Sequence, residues 1–280
     1  MGGGAFAGRS RSPALMGVVN VTPDSFHPGS RSYDSSHGVS RGISMIEEGA
    51  SMIDIGGEST RPGAIPVSVK EELSRTMPVI EGILQHRPDA FISIDTSKPE
   101  VANEALKNGC SMINDVTGAE NKDMIELVAD AGAKICVMHM KGEPRTMQID
   151  PGYDDVVSEV TRYLRERVGA LLEAEIPPEN ILVDPGIGFG KRLEDNIALL
   201  KAGRRIIPME GVGLLWGVSR KRMFLDLLGR KDSKDRLFGT LGVAASAVYS
   251  GVDVLRVHDV LEHADFLKTM TSTIGGLDDE

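Results

Sequence analysis

ALMGVVNVTPDSFHPG, residues 14–29, decides between two folds. Residues 14–20 are an apolar run of strand length that closes on Asn20. A doubly wound nucleotide-binding sheet would follow its first strand with a glycine-rich turn. TPDSFHPG is not such a turn. Working outward, comparable runs recur at 51–57, 91–95, 110–115, 134–140, 180–186, 213–219 and 253–259. Most are rich in Val or Ile and apolar on both faces, as in parallel strands covered on two sides. Helix-like stretches separate them: SHGVSRGISMIEEGA, SVKEELSRTMPVIEGILQ, KPEVANEALKNG, DVVSEVTRYLRERVGALLEA and TLGVAASAVYSG. Ser97, ahead of Lys98-Pro99, is the expected N-cap of the third. Eight strand–helix units recur about every 34 residues, the size of a single (β/α)8 barrel. The expected organisation is a flexible lead over 1–12, one barrel over 13–274 and an acidic tail over 275–280.

Composition removes several classes of function. Hydrophobic residues make up 41% and charged residues 26%, so the chain can bury a core. No apolar stretch reaches the ~18 residues of a membrane span, and the N-terminus lacks the apolar region of a signal peptide. The cytoplasm is the expected location. The net charge of −10 argues against a nucleic-acid backbone as partner. Two cysteines, Cys110 and Cys136, sit in apolar runs and read as core thiols, which excludes a disulfide framework and a cysteine zinc site. His37, His86 and His263 read as solvated helix residues, and His139 as a core residue.

The informative residues close the strands. In order they are Asn20; Glu58-Ser59-Thr60-Arg61; Asp95; Asn114-Asp115; a residue near His139; Asp184; Ser219-Arg220-Lys221; and Arg256 with His258. A barrel of this kind carries its site at the C-terminal face, built from those ends. Asp95, Asn114, Asp184 and Lys221 combine carboxylate, amide and ammonium, which suits a flat heterocycle, and Asp184 could accept two N–H bonds from an amino-pyrimidine edge. Asn20, Thr60, Arg61, Arg256 and His258 suit a phosphate or diphosphate. Asn20 is the candidate Mg²⁺ ligand, because Mg²⁺ takes few protein oxygens beside phosphate. The run Pro185-Gly-Ile-Gly-Phe-Gly-Lys191 fits neither GxGxxG nor GxxxxGK[ST]. It reads as a turn whose glycines let backbone approach a flat ligand, with Phe189 as a lid. Strand 6 ends in Asp184 rather than Lys, which argues against a Schiff-base aldolase.

The motifs MGVVNVTPDSF (16–26), DIGGESTRPGA (54–64), ISIDTSKPEVA (92–102), MINDVTG (112–118), CVMHMKGEPRTMQ (136–148), ILVDPGIGFGK (181–191), GVSRKRM (217–223) and VLRVHDV (254–260) together resemble the bacterial dihydropteroate synthase family. The resemblance covers nearly the whole chain. It implies condensation of 6-hydroxymethyl-7,8-dihydropterin diphosphate with p-aminobenzoate, Mg²⁺ as cofactor, a homodimer and sulfonamides as inhibitors. It also implies a pterin site of Asp95, Asn114, Asp184, Lys221, Met138 and Phe189, with Asp95, Lys221 and Arg61 in the chemistry. The diphosphate would meet Asn20, Thr60, Arg61, Arg256 and His258. The p-aminobenzoate slot would use Phe26, Pro62, Phe189, Ser219, Lys221 and Arg222, with loops at about 21–34 and 58–67 closing over it. The start of the helix near Arg222 is expected to face the benzoate carboxylate. Phe26-His27-Pro28-Gly29-Ser30 departs from the family's usual Ser-Asp-Gly-Gly after the Phe. Two other readings stand beside this one: a non-catalytic pterin-binding paralogue, and the pterin domain of a corrinoid-dependent methyltransferase.

Overall fold

The computed structural model describes residues 12–22, 31–59, 63–142, 147 and 151–273, without the side chains of 31–34. Eight parallel strands close in sequence order into a barrel. They are β1 (Ala14–Asn20), β2 (Met52–Gly56), β3 (Ile92–Asp95), β4 (Met112–Asp115), β5 (Lys134–Met138), β6 (Ile181–Asp184), β7 (Gly213–Trp216) and β8 (Val254–Val257). The helices are α1 (Arg31–Glu47), α2 (Val69–His86), α3 (Pro99–Lys107), α4 (Lys122–Ala131), α5 (Val156–Glu173), α6 (Leu193–Ala202), α7 (Met223–Leu228), α8 (Leu237–Tyr249) and α9 (Val260–Thr273). The expected strand runs were up to three residues too long at an end. The extra residues, Phe91, Cys110 and Val218 among them, lie outside the strands. The expected lead and tail fall almost wholly outside the described residues.

Strand parity explains why the runs are apolar on both faces. Met16, Met52, Met112, Cys136, Leu182, Leu215 and Val254 form one buried cluster, the plug at the base of the barrel interior. The alternate residues, such as Ile53, Ile55, Ile94, Ile113, Val137 and Val183, belong to a second cluster packed under the helices. Cys136 lies in the first cluster and Cys110 in the second. Burial pushes the Cys110 thiol up to about 12, so it behaves as a small core residue.

Above the plug the interior turns polar. Asn20 is in register with Gly56, Gly56 with Asp95, and Asp95 with Asn114, so one row crosses four strand ends. Gly56 is the gap in that row. A Cβ there would stand 3.7 Å from Asn20 Oδ1 and from Asp95 Oδ2.

Two local expectations need correction. The N-cap of α3 is Lys98, not Ser97, and it makes no side-chain cap bond. Pro99 takes the first helical position, which fixes the cap one residue later, and the Lys98 side chain is bonded to Glu58 and Glu72 instead. His263 is fully buried, not solvated. It shares the inward face of α9 with Val260 and Leu267, and its Nδ1 lies 2.6 Å from the Asp259 carbonyl oxygen. The helix after Arg222 has only six residues. Its Leu225 N–H already bonds the Arg222 carbonyl at 2.7 Å.

Candidate active site

The centre of the barrel mouth is one guanidinium shared by two carboxylates. Arg256 Nε donates to Asp54 Oδ2 at 2.6 Å, and Nη2 donates to Asp95 Oδ2 at 2.7 Å. Asn114 Nδ2 donates to the same Asp54 oxygen at 3.0 Å. Asp54 is fully buried, and its Oδ1 has no partner among the described residues. Burial pushes the Asp95 carboxyl up to about 7, with Asp54, Glu72 and Asp115 adding to the rise and Arg256 opposing it. Arg256 itself is held above its ordinary range: burial opposes this, but the two carboxylates prevail. Arg256 therefore bridges the two expected halves of the site. Asp115 faces the other way and bonds the Thr117 and Ala119 N–H groups, so it caps the turn after β4.

Asp184 and Lys221 form the second group. Asp184 Oδ1 accepts the Gly186 N–H at 2.8 Å. Burial raises the Asp184 carboxyl, while Lys221, that N–H, Lys191 and Arg256 oppose the rise. Burial brings the Lys221 ammonium down to about 8, against the pull of Asp184. Lys221 Nζ bonds the Ile187 carbonyl and lies 4.3 Å from the centroid of the Phe189 ring. Met138 is buried at the end of β5, in register with Asp184.

On the remaining side, Asn20 is half-buried at the end of β1. Ser219 Oγ lies 3.0 Å from His258 Nδ1 and accepts the His258 N–H at 3.2 Å. Arg41 of α1 donates to the His258 carbonyl at 3.0 Å and fixes the end of β8 from outside. Arg220 is turned away, in a two-bond pair with Asp259. Arg222 is exposed at the rim. At the base of the loop after β2, Lys98 joins Glu58 to the buried Glu72. Phe26, Thr60, Arg61 and Pro62 lie outside the described residues, as do His27, Pro28 and Ser30.

Sequence reasoning missed Asp54 and Lys191. Asp54 was legible as a lone carboxylate in SMIDIGG, at the same strand parity as Met52 and Gly56. Lys191 closes the glycine run and looked like a nucleotide-loop residue, yet its side chain points into the core.

This combination defines a class: a (β/α)8 barrel enzyme whose C-terminal mouth receives a small polar ligand on buried carboxylates, amide and cations. The model of the family described as pterin binding enzyme matches residues 16–258. The dihydropteroate synthase of Escherichia coli (strain K12) is 44% identical over 264 residues, covering 94% of this chain and 92% of that protein. The Xanthomonas albilineans dihydropteroate synthase solved with 4-aminobenzoic acid superposes with a TM-score of 0.87 at 42% identity, covering 93% of each chain. The Yersinia pestis dihydropteroate synthase solved as a sulfonamide drug complex gives 0.87 at 38% identity, covering 94% of each. The chain belongs to the pterin-binding enzyme family. Among the described residues, no helix is long and apolar enough to cross a membrane.

Proposed function

We propose that this protein is a dihydropteroate synthase, a transferase that joins p-aminobenzoate to 6-hydroxymethyl-7,8-dihydropterin diphosphate. The products are 7,8-dihydropteroate and pyrophosphate. The observation that carries this reading is the mouth of the barrel. There a shared Arg256, two carboxylates, the Asn114 amide and the Asp184–Lys221 pair face one space in a chain of this family.

The C–O bond to the diphosphate breaks first, and its electron pair leaves with the diphosphate. The exocyclic carbon becomes a cation stabilised by the electron-rich ring. The amine nitrogen then forms the C–N bond and loses one proton. Asp184 receives the two N–H groups of the amino-pyrimidine edge, and Lys221 donates to an acceptor of the ring. Asn114 and Met138 complete the pterin site, and Phe189 covers it. Asp95, once ionised, stabilises the developing cation. Two of the five N–H groups of Arg256 bond Asp54 and Asp95, leaving three for a phosphate. Thr60, Arg61 and His258 join it there.

Asn20 fits a Mg²⁺ ion delivered with the diphosphate. It offers a neutral carboxamide oxygen beside the gap at Gly56. When bound, Mg²⁺ would neutralise charge on the departing diphosphate. The p-aminobenzoate slot, and sulfonamides in its place, would use Phe189, Ser219, Lys221 and Arg222 with Phe26 and Pro62. A homodimer in the cytoplasm completes the reading, and the exposed Leu227, Leu228 and Phe238 of α7 and α8 support a partner surface.

The test is pyrophosphate release from the pterin diphosphate with Mg²⁺, with and without p-aminobenzoate. Release that depends on p-aminobenzoate and yields dihydropteroate is expected. Tight pterin binding without turnover would refute it in favour of a non-catalytic pterin-binding protein. Lys221→Ala should lower turnover by roughly 10²-fold, and near-wild-type turnover in that variant would refute the role given to Lys221.

A further inference from the structure

The glycine run from Pro185 to Lys191 has a second face that the reaction above does not use. Lys191 is 3% exposed. A buried ammonium is costly unless its protons are bonded. Here Nζ lies 3.0 Å from His139 Nδ1, 3.3 Å from the His139 carbonyl oxygen and 3.0 Å from the Phe189 carbonyl oxygen. Burial brings the Lys191 ammonium down to about 7, and in its charged form three donors meet three acceptors, with His139 neutral and its proton on Nε2. Burial and the neighbouring Lys191 charge hold the His139 imidazole down to about 3, so its Nδ1 lone pair stays available at neutral pH.

The loop is pressed onto the end of β5. Gly186 has φ +67°, and a Cβ there would stand 1.9 Å from the His139 carbonyl oxygen. A Cβ on Gly190 would stand 2.4 Å from the Lys141 carbonyl oxygen. Tyr153 Oη donates to the Gly190 carbonyl at 2.8 Å, and the Gly188 N–H donates to Asn196 Oδ1 at 2.7 Å. The other side of the same loop holds Lys221, through the Ile187 carbonyl and the Phe189 ring.

We propose that Lys191, by bonding His139 and the Phe189 carbonyl, is a positioning residue that fixes the loop against which the Lys221 ammonium is held. Lys191 does not touch substrate and acts through Lys221. The kinetic readout rests on the functional reading above, whereas the binding readout does not.

The test is a double-mutant cycle. Lys191→Met removes the three donors and keeps most of the unbranched stem. It should lower kcat/KM by about 10-fold or more, since small misplacements at a reacting centre are costly. The loss should divide between kcat and KM as it does in Lys221→Ala. In the Lys221→Ala background the same change should cost less than about two-fold, because residues acting as one unit are not additive. The same cycle is read by calorimetry with 6-hydroxymethylpterin. Losses that simply multiply, or a Lys191→Met protein with wild-type constants, would overturn the proposal. If Lys191→Met does not fold, His139→Leu decides. It removes one acceptor and leaves both carbonyls, and its smaller loss should again vanish in Lys221→Ala. A wild-type protein that releases no pyrophosphate would refute the synthase reading alone, and the pterin-binding cycle would still judge Lys191.

Discussion

Replacing Arg256 by Met isolates the electrostatic load carried by one side chain. Met keeps much of the aliphatic stem and removes the guanidinium. In the folded protein this leaves the carboxylates of Asp54 and Asp95, which are 0% and 8% exposed, without their shared cation. Removing one partner of a buried ion pair costs ~3–5 kcal/mol. Part of that cost depends on pH, and its sign follows from Asp95. The folded-state value is about 7, above the unfolded value, and Arg256 is what holds it from rising further. Without Arg256 it rises, and each unit of rise costs ~1.4 kcal/mol at pH values above it. Below about pH 5.5 the carboxyl is protonated in both proteins, and this contribution disappears. Urea unfolding followed by circular dichroism at pH 8.5 and pH 5.5 measures both limits. The expected destabilisation is ~3–5 kcal/mol at pH 8.5 and smaller by ~1–2 kcal/mol at pH 5.5. A loss equal at both pH values, or below ~1 kcal/mol at pH 8.5, would refute the double ion pair as described.

The kcat/KM profile should fall on the acid side of about pH 7, because Asp95 must be ionised to stabilise a cation and burial raises its pKa. Asp95→Asn should remove that limb together with most of the turnover, and a limb that survives in the variant would assign it elsewhere. Gly186→Ala combines a left-handed backbone angle of +67° with a Cβ placed 1.9 Å from a carbonyl oxygen. It should destabilise by ~2–4 kcal/mol in urea unfolding and lower pterin affinity, and a neutral effect would mean that the loop is not pressed on β5.

Much of this was legible because the barrel repeats one decision eight times. The runs ending at Asn20, Asp95 and Asp184 stop as expected, where apolar alternation gives way to a polar side chain. Register then makes neighbours of residues far apart in sequence: Asn20, Gly56, Asp95 and Asn114 share a row that no local pattern announces. What stayed hidden depends on three-dimensional pairing. Asp54 sits within an apolar run, and nothing nearby in sequence shows that its cation comes from β8, 202 positions away. His263 looked solvated because a helical histidine usually is, and only the packing of α9 on the barrel buries it. Lys191 followed a glycine run that suggests a phosphate loop, whereas its ammonium closes onto the carbonyls of Phe189 in its own loop and of His139 just after β5.

A chain of net charge −10 that binds a diphosphate must place its cations at the site, and here they arrive already paired. Arg256 holds Asp54 and Asp95, and Lys221 lies under the field of Asp184. An incoming diphosphate therefore competes with internal carboxylates for the same guanidinium. As Arg256 turns toward phosphate, its hold on Asp95 weakens, and the cation forming on the pterin ring takes its place as the charge that keeps that carboxyl ionised. The diphosphate that must leave and the charge that replaces it are thus linked through one side chain. Pyrophosphate bound without pterin draws Arg256 away from Asp95 and leaves that carboxyl titrating higher than in the free protein. Carboxylate chemical shifts followed against pH, with Asp95→Asn for assignment, would show that displacement. An unchanged titration would mean that Arg256 stays on Asp95 throughout, and that Arg61 and His258 hold the diphosphate without it.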